Sequence, residues 1–413
     1  TTARGSRPVF ITICAADFGG GMEFCMKIFI DIQNVFYKKG RGTANYTYNI
    51  AHALLKRRTF DYRLAFFDKG KERGHRAIVK DLFDIDDSAL REYNEVSYGE
   101  VGGGSFDKSY ADIIGSDADI IHHTVDMLSP YFPGNKTVIT AHDVGGMYEY
   151  PNVNDYYTAQ EACRWSKQLN MVFRPNIGGV FADSEFTASC IREYYPYLSD
   201  RIAVTPLAFD SSVFYKNIDA GFLHKSGICS EYFLYVGIMC ARKNVYRIIE
   251  SFEIIAEKNK DICLVLAGDL SKNTLALNFP LKVMQSKYRD RIHYLGRVSN
   301  DELRTLYSGA RGFLFPSLHE GFGIPILEAQ ACGCPVITAN TTACPEVAGD
   351  SAVLVDPYDV EAIADGIERI LNNSQLREDL ILKGSKNIKR YSWEKTAELT
   401  ENAYKFAYEM FKS

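Results

Sequence analysis

Two carboxylates eight residues apart, Glu320 and Glu328, flank the segment Gly321-Phe322-Gly323-Ile324-Pro325. On one continuous helix they would lie about 80° and about 12 Å apart. The two glycines and Pro325 argue against that, placing Glu320 in a loop and Glu328 in the helix after it. Glycines let backbone amides approach a ligand closely, and proline suits the first turn of a helix. A carboxylate accepts two hydroxyl donors well, so a polyol such as ribose or a hexose fits. The bland alternative is a strand–helix turn with two solvated acids. A second cluster, Ala241-Arg242-Lys243-Asn244, puts two cations in another strand–helix loop. Arginine offers a planar fork and lysine a point charge, a pairing suited to pyrophosphate, though solvated loop cations would read the same. His142-Asp143 ends an apolar run, and Asp143 could fix the His142 tautomer or cap the next segment of chain. Gly40-Arg41-Gly42 opens a third loop before a helix, an anion site by the same physics or a plain glycine turn.

These groups need strands and helices to hold them. Residues 312–315, an apolar run closed by Pro316 and Ser317, read as a strand. A helix from Ile326 and a strand at 336–338 come next. Upstream, 26–33 reads as the first strand of an α/β unit, continued by a glycine loop and a helix at 46–55. Further strands are expected at 62–67, 119–122, 136–142, 180–183 and 201–208, and a helix at 161–174. The charged stretch 69–110, with Gly102-Gly103-Gly104, suggests a variable region. Residues 209–230 are loop-rich. The pattern then restarts with strands at 232–237, 262–268, 291–296 and 351–355, interleaved with helices. A helix opening at Ser299 or Asn300, and a last helix at 394–411 with Leu399, Ala403, Phe406 and Met410 as its apolar face, complete the pattern. The implied division is a leader or accessory segment 1–26, a first domain 27–212, a linker 213–230, a second domain 231–390 and a returning helix 391–413.

The chain has 413 residues, enough for two domains, with 46% hydrophobic and 24% charged residues. No apolar run approaches the length of a membrane span. The net charge of −5 argues against bulk nucleic-acid binding. Residues 27–80 nevertheless hold 13 Lys/Arg against 4 Asp/Glu, and residues 81–120 hold 11 Asp/Glu against 2 Lys/Arg. The basic block could face anionic lipid or a phosphate-bearing acceptor, or be an ordinary surface whose charges cancel on folding. Ten scattered cysteines lack metal-ligand spacing, so reduced buried thiols and no metal are expected.

The segment from Glu320 to Glu328, with Gly-Phe-Gly inside it, resembles the nucleotide-sugar site of the retaining glycosyltransferases of family 4. The likeness covers about residues 27–400. It implies an α/β chain of the GT-B fold, two Rossmann-like doubly wound domains facing across a cleft. The resemblance gives Glu320 and the amides of Phe322, Gly323 and Ile324 to the donor sugar, and Glu328 to the ribose. It gives Lys243 to the diphosphate, Val298 and Ser299 with Arg297 to the base, and Asp269 to the nucleotide side. It places Gly40, Arg41 and Gly42 near donor phosphate or acceptor, and His142 beside the donor sugar as a positioning group. Many members carry an arginine after the glycine matching Gly237; here Ile238 stands there, leaving open whether Arg242 supplies the second cation. Val236-Gly237 and Arg242-Lys243-Asn244 are similar to bacterial mannosyltransferases of surface polysaccharides. That implies GDP-mannose as donor, a glycan or polyprenyl-linked glycan as acceptor, and no metal cofactor. It further implies a cytoplasmic enzyme, with peripheral contact at the inner membrane face as an extension. The alternatives are a UDP-hexose donor or a sugar-nucleotide binding protein without transfer.

Overall fold

The structure, a computed structural model, describes residues 26–32, 35, 42–67, 75–84, 90–93, 118–125, 136–144, 166, 169–170, 172–228, 231–270 and 279–412. Gly40, Arg41 and Gly102–Gly104 lie outside the described residues, as does most of the helix expected at 161–174.

The first unit runs β1 (Lys27–Asp31), α1 (Gly42–Arg57), β2 (Asp61–Phe67), α2 (His75–Phe83), β3 (Leu90–Tyr93), β4 (Ile120–His123), β5 (Thr137–Ala141), β6 (Gly179–Ala182), α3 (Glu185–Tyr194) and β7 (Ile202–Val204). A short α4 (Ala220–Lys225) leads on. The second unit runs β8 (Glu231–Val236), α5 (Val245–Lys258), β9 (Ile262–Ala267), α6 (Phe279–Gln285), β10 (Ile292–Gly296), α7 (Asn300–Gly309), β11 (Gly312–Phe315), α8 (Ile324–Ala331), β12 (Val336–Ala339), α9 (Cys344–Ala348), β13 (Ala352–Val355), α10 (Val360–Asn372) and α11 (Ser374–Asn387). The last helix is α12 (Trp393–Lys412).

Both sheets are parallel, in the orders β3-β2-β1-β4-β5-β6-β7 and β10-β9-β8-β11-β12-β13. Parallel strands are covered on both faces and so read as continuous apolar runs; β4, β5, β6 and β9 are buried at every position. In α5 the spacing of Val245, Ile248, Ile249 and Phe252 places all four in the core beneath it. Strand order reverses between β1 and β4 and again between β8 and β11. Doubly wound sheets bind ligands in the crevice at the carboxyl ends of such strands. The loops after β8 and β11 carry Lys243 and Glu320, so neighbouring strands bring the two together.

Helix α12 packs on α1 of the first unit. Its buried face differs from the one the apolar spacing suggests. Phe406 is exposed, and the covered stripe is Thr396, Ala397, Thr400, Glu401, Ala403, Tyr404 and Ala407. The polar members of that stripe meet partners, which removes the cost of burying them. Tyr62 donates to Glu401 at 2.8 Å, Arg57 pairs with the same carboxylate, and the Tyr404 hydroxyl lies 2.6 Å from His122 Nδ1. The chain therefore crosses between the units twice, once before β8 and once before α12.

The two units also touch directly. Ser184 Oγ and Thr187 Oγ1 of the first donate to the carbonyl of Gly321 of the second at 2.6 and 3.1 Å. The Glu346 carboxylate accepts from the amides of Glu185 and Phe186 at the start of α3, where a helix N-terminus favours negative charge.

Candidate active site

On the second unit, the loop after β8 is fixed by Asn244. Its backbone is left-handed at φ 63°, a conformation asparagine tolerates better than most residues. Its side-chain amide donates to the carbonyls of Pro316 at 2.9 Å and Pro357 at 2.6 Å, and Leu318 N–H donates to the Arg242 carbonyl at 2.9 Å. The loops after β8, β11 and β13 thus form one piece. Within it Lys243 Nζ pairs with Glu320 Oε1 and lies 5.0 Å from the centre of the Phe315 ring. Arg242 Nη1 lies 3.5 Å from Glu320 Oε2 and donates to the His319 carbonyl at 2.6 Å. Burial pushes the Glu320 carboxyl up, but Lys243 first and Arg242 second outweigh it and hold the group below its ordinary range.

Gly321 and Gly323 have separate jobs. Gly323 takes φ +112° at the start of α8, where Pro325 occupies the first turn. Gly321 serves the junction between units: a Cβ there would overlap the carbonyl of His142. Phe322 is buried edge-on to Tyr391, with ring centroids 5.7 Å apart. Glu328 lies inside α8 and takes a hydrogen bond from Tyr307 at 3.3 Å. Burial pushes its carboxyl up to about 7, with the Tyr307 bond opposing the shift.

The carboxyl ends of β8, β9 and β10 each carry a glycine. Gly268 takes φ +137°, and any side chain on it would strike the Gly237 carbonyl. Asp269, just beyond, pairs with Arg297 in an exposed ion pair. Val298 is partly buried against the core of the second unit. Ser299 closes this loop. It caps α7, its N–H donating to Glu302 at 2.7 Å and its carbonyl accepting from Leu303. The capping box satisfies free amides at the helix start. Ile238 is 45% exposed and brings no charge; Arg242 is the second cation beside Lys243.

On the first unit, the partner of His142 is Asp183 rather than Asp143. Sequence neighbours at a strand end point apart, whereas the ends of β5 and β6 lie side by side. His142 Nδ1 is 2.7 Å from Asp183 Oδ2, and Nε2 is 2.8 Å from the Thr124 carbonyl. A carbonyl only accepts, so Nε2 carries a proton. The bond to Asp183 needs a second proton on one partner or the other, and the pair holds it between them. Burial raises the Asp183 carboxyl, with the His142 charge opposing. Both ring nitrogens are engaged, which suits positioning and not general-base work. Tyr46 of α1 meets the His142 ring edge-on at 4.7 Å and bonds Thr140 at 2.9 Å. Asp143 instead reaches the second unit, with Oδ1 2.6 Å from His319 Nε2. Gly42 opens α1, and among the described residues nothing beyond its chain neighbours lies within 4 Å of where a Cβ would stand.

Lys243, Arg242 and Glu320 therefore converge, His142 faces the junction where Gly321 meets it, and Glu328 sits one helical segment behind. Asp183, His319, Tyr307 and Glu346 join them without having been singled out for these contacts by sequence. The one available signal was position, His319 directly before Glu320 and Asp183 at a strand end. Among the described residues, no cluster of three His, Cys, Asp or Glu could hold a metal ion, and no helix is long and apolar enough to cross a membrane.

The family described as Glycosyl transferases group 1 matches residues 226–387. The O-antigen chain mannosyltransferase B of Escherichia coli is 32% identical over 292 residues, covering 70% of this chain and 74% of that one. Among solved structures, the sucrose-phosphate synthase of Thermosynechococcus elongatus matches with TM-score 0.68 and 17% identity, covering 92% of this chain and 98% of that one. Anabaena Alr3699/HepE, solved with UDP-glucose, matches with TM-score 0.67 and 15% identity, covering 91% and 99%. These likenesses give the fold: two Rossmann-like units facing across a cleft, the GT-B arrangement.

Proposed function

The chain belongs to the glycosyl transferases of group 1, and from that premise we propose how its residues divide the work of moving a hexose from a nucleotide sugar to an acceptor. It is an enzyme, a nucleotide-sugar-dependent glycosyltransferase. The convergence of Lys243, Arg242 and Glu320 at the β8/β11 switch point carries the assignment. Lys243 and Arg242 take the donor diphosphate and stabilise its charge as the sugar–phosphate bond breaks, helped by the N-terminus of α8. Glu320 and the amides of Phe322, Gly323 and Ile324 take the sugar. Glu328 takes the ribose, and the Asp269–Val298 edge takes the base. His142 positions the sugar, and the first unit, with Gly42, offers the acceptor. Transfer proceeds with retention, as in the family resembled, and no metal takes part. The residue limits 27–212 and 231–390 serve as the two domains, with 391–413 returning to the first.

Two donors compete. The O-antigen relative is named a mannosyltransferase, which supports mannose from GDP-mannose. Fold neighbours solved with UDP, UDP-glucose or UDP-2-fluoro glucose support the wider alternative, a UDP-hexose, and that alternative has the broader backing. The acceptor is read as a glycan or polyprenyl-linked glycan, reached in the cytoplasm or at the inner membrane face. Ligand-observed NMR with a panel of GDP- and UDP-sugars decides the donor. Selective binding of one, with slow sugar release, fixes it; binding of none by a folded protein would sink the donor-site assignment.

A further inference from the structure

We propose that Asp143 is a positioning residue that links closure of the two units to the placement of Arg242 on the donor side. Asp143 belongs to the first unit, and its two carboxylate oxygens face two second-unit side chains. Oδ1 is 2.6 Å from His319 Nε2, and Oδ2 is 4.0 Å from Arg242 Nη1. His319 is 1% exposed, and its own carbonyl accepts from Arg242 Nη1 at 2.6 Å. Arg242 is therefore steered twice by one carboxylate from across the cleft, once through the charge itself and once through the residue that anchors it. The same guanidinium stands 3.5 Å from Glu320.

The placement has a consequence for the order of events. Lys243 is held by contacts within the second unit, to Glu320 and the Phe315 ring, so it needs no closure to be in place. Arg242 reaches its full set of contacts only when the first unit brings Asp143 to it. Ile238 supplies no cation, so the placement of the second positive charge on a donor diphosphate, begun by Glu320 and the His319 carbonyl, is completed on closure. A charge set fully in place by closure acts on the bond-breaking step more than on ground-state binding. This rests on the reading of Lys243 and Arg242 as the diphosphate site.

The test compares Asp143→Asn, His319→Ala, His319→Gln and Lys243→Ala in the full chain. Binding of GDP and UDP is measured by calorimetry, and transfer and donor hydrolysis by steady-state kinetics. Asp143→Asn is expected to leave the nucleotide Kd and donor KM within about threefold and to lower kcat at least about thirtyfold. His319→Ala should match that loss, and the double variant should lose no more than the worse single one, since the pair acts as a unit. His319→Gln keeps a donor toward Asp143 and should recover part of kcat. An unchanged kcat in Asp143→Asn, independent losses in the double variant, or a loss in nucleotide Kd equal to the loss in kcat would each overturn the proposal. Lys243→Ala is the separate control. If it fails to weaken nucleotide binding, the diphosphate assignment itself has fallen; if it weakens binding while Asp143→Asn leaves kcat intact, only the proposal for Asp143 has.

Discussion

The two sheets obey the same winding rule, yet the walls they present to each other are furnished in opposite ways. The wall of the second unit holds full charges close together: Lys243 and Arg242 against Glu320. The wall of the first unit holds histidines locked into buried hydrogen bonds. His142 sits between Asp183 and Thr124, and His122 between Tyr404 and Thr140. Burial drops the His122 imidazolium to about 3, so that ring is neutral at physiological pH. One wall concentrates charge, the other holds a shape. The same fold permits both because the strand ends, not the strands, carry the chemistry.

If that contrast is right, substitutions at Lys243 and Glu320 should strike turnover and binding, and those at the locked His122–Tyr404 pair should strike stability. The largest effect is expected from Glu320→Gln. Transfer at saturating donor should fall at least about 100-fold, the scale for losing a group that meets developing charge, while the circular dichroism melt stays near that of the parent. Unchanged turnover would remove Glu320 from its assigned role. Lys243→Ala should weaken nucleoside diphosphate binding by about 1.5–3 kcal/mol, the range for a charged hydrogen bond, as read by titration calorimetry.

Glu328 sharpens the comparison through pH. Its carboxyl is raised to about 7 in the folded chain, against an ordinary value of about 4.3. Between those values the folded state binds more protons than the unfolded one, so stability falls as pH rises through that window. Glu328→Gln should therefore gain about 1–2 kcal/mol at pH 8 relative to the parent and gain nothing at pH 4, checked by urea titration at both. Ribose hydroxyls donate best to the ionised form. Nucleotide affinity should fall by up to about tenfold per pH unit below 7, and Glu328→Gln should flatten the profile. The smallest effect is assigned to Tyr404→Phe. Losing the bond to His122 should cost about 1–2 kcal/mol of stability and leave the nucleotide Kd unchanged. A change in Kd would show that the quiet wall is not quiet.

What sequence could supply differed between these walls. The charged wall was readable because its residues lie in short loops directly after apolar runs, and the glycines around Glu320 announce a turn. The other wall was not, because its bonds join strand ends distant in sequence. Asp183 is 41 residues from His142, and nothing local favours it over the adjacent Asp143. Helix α12 misled for a related reason. Leu399 and Phe406 mark an apolar stripe, but Tyr404 and Glu401 bury because His122, Tyr62 and Arg57 wait for them. Hydropathy has no knowledge of a partner. Either Ser299 or Asn300 could open the helix after β10, and the capping box with Glu302 shows that it is Ser299.

The double crossing of the chain has a mechanical meaning. A body tethered at one point swivels freely, whereas one tethered at two swings about the line through them. The segment before β8 is one pivot and the stretch leading into α12 is the other, with α12 bolted to the first unit by Glu401 and Tyr404. Relative motion is then confined largely to one rotation, like a door and not a ball joint. Each swing returns the same backbone edges, Gly321 and His142, to the same meeting place, and alignment of the two walls comes from the plumbing of the chain before any side chain is consulted.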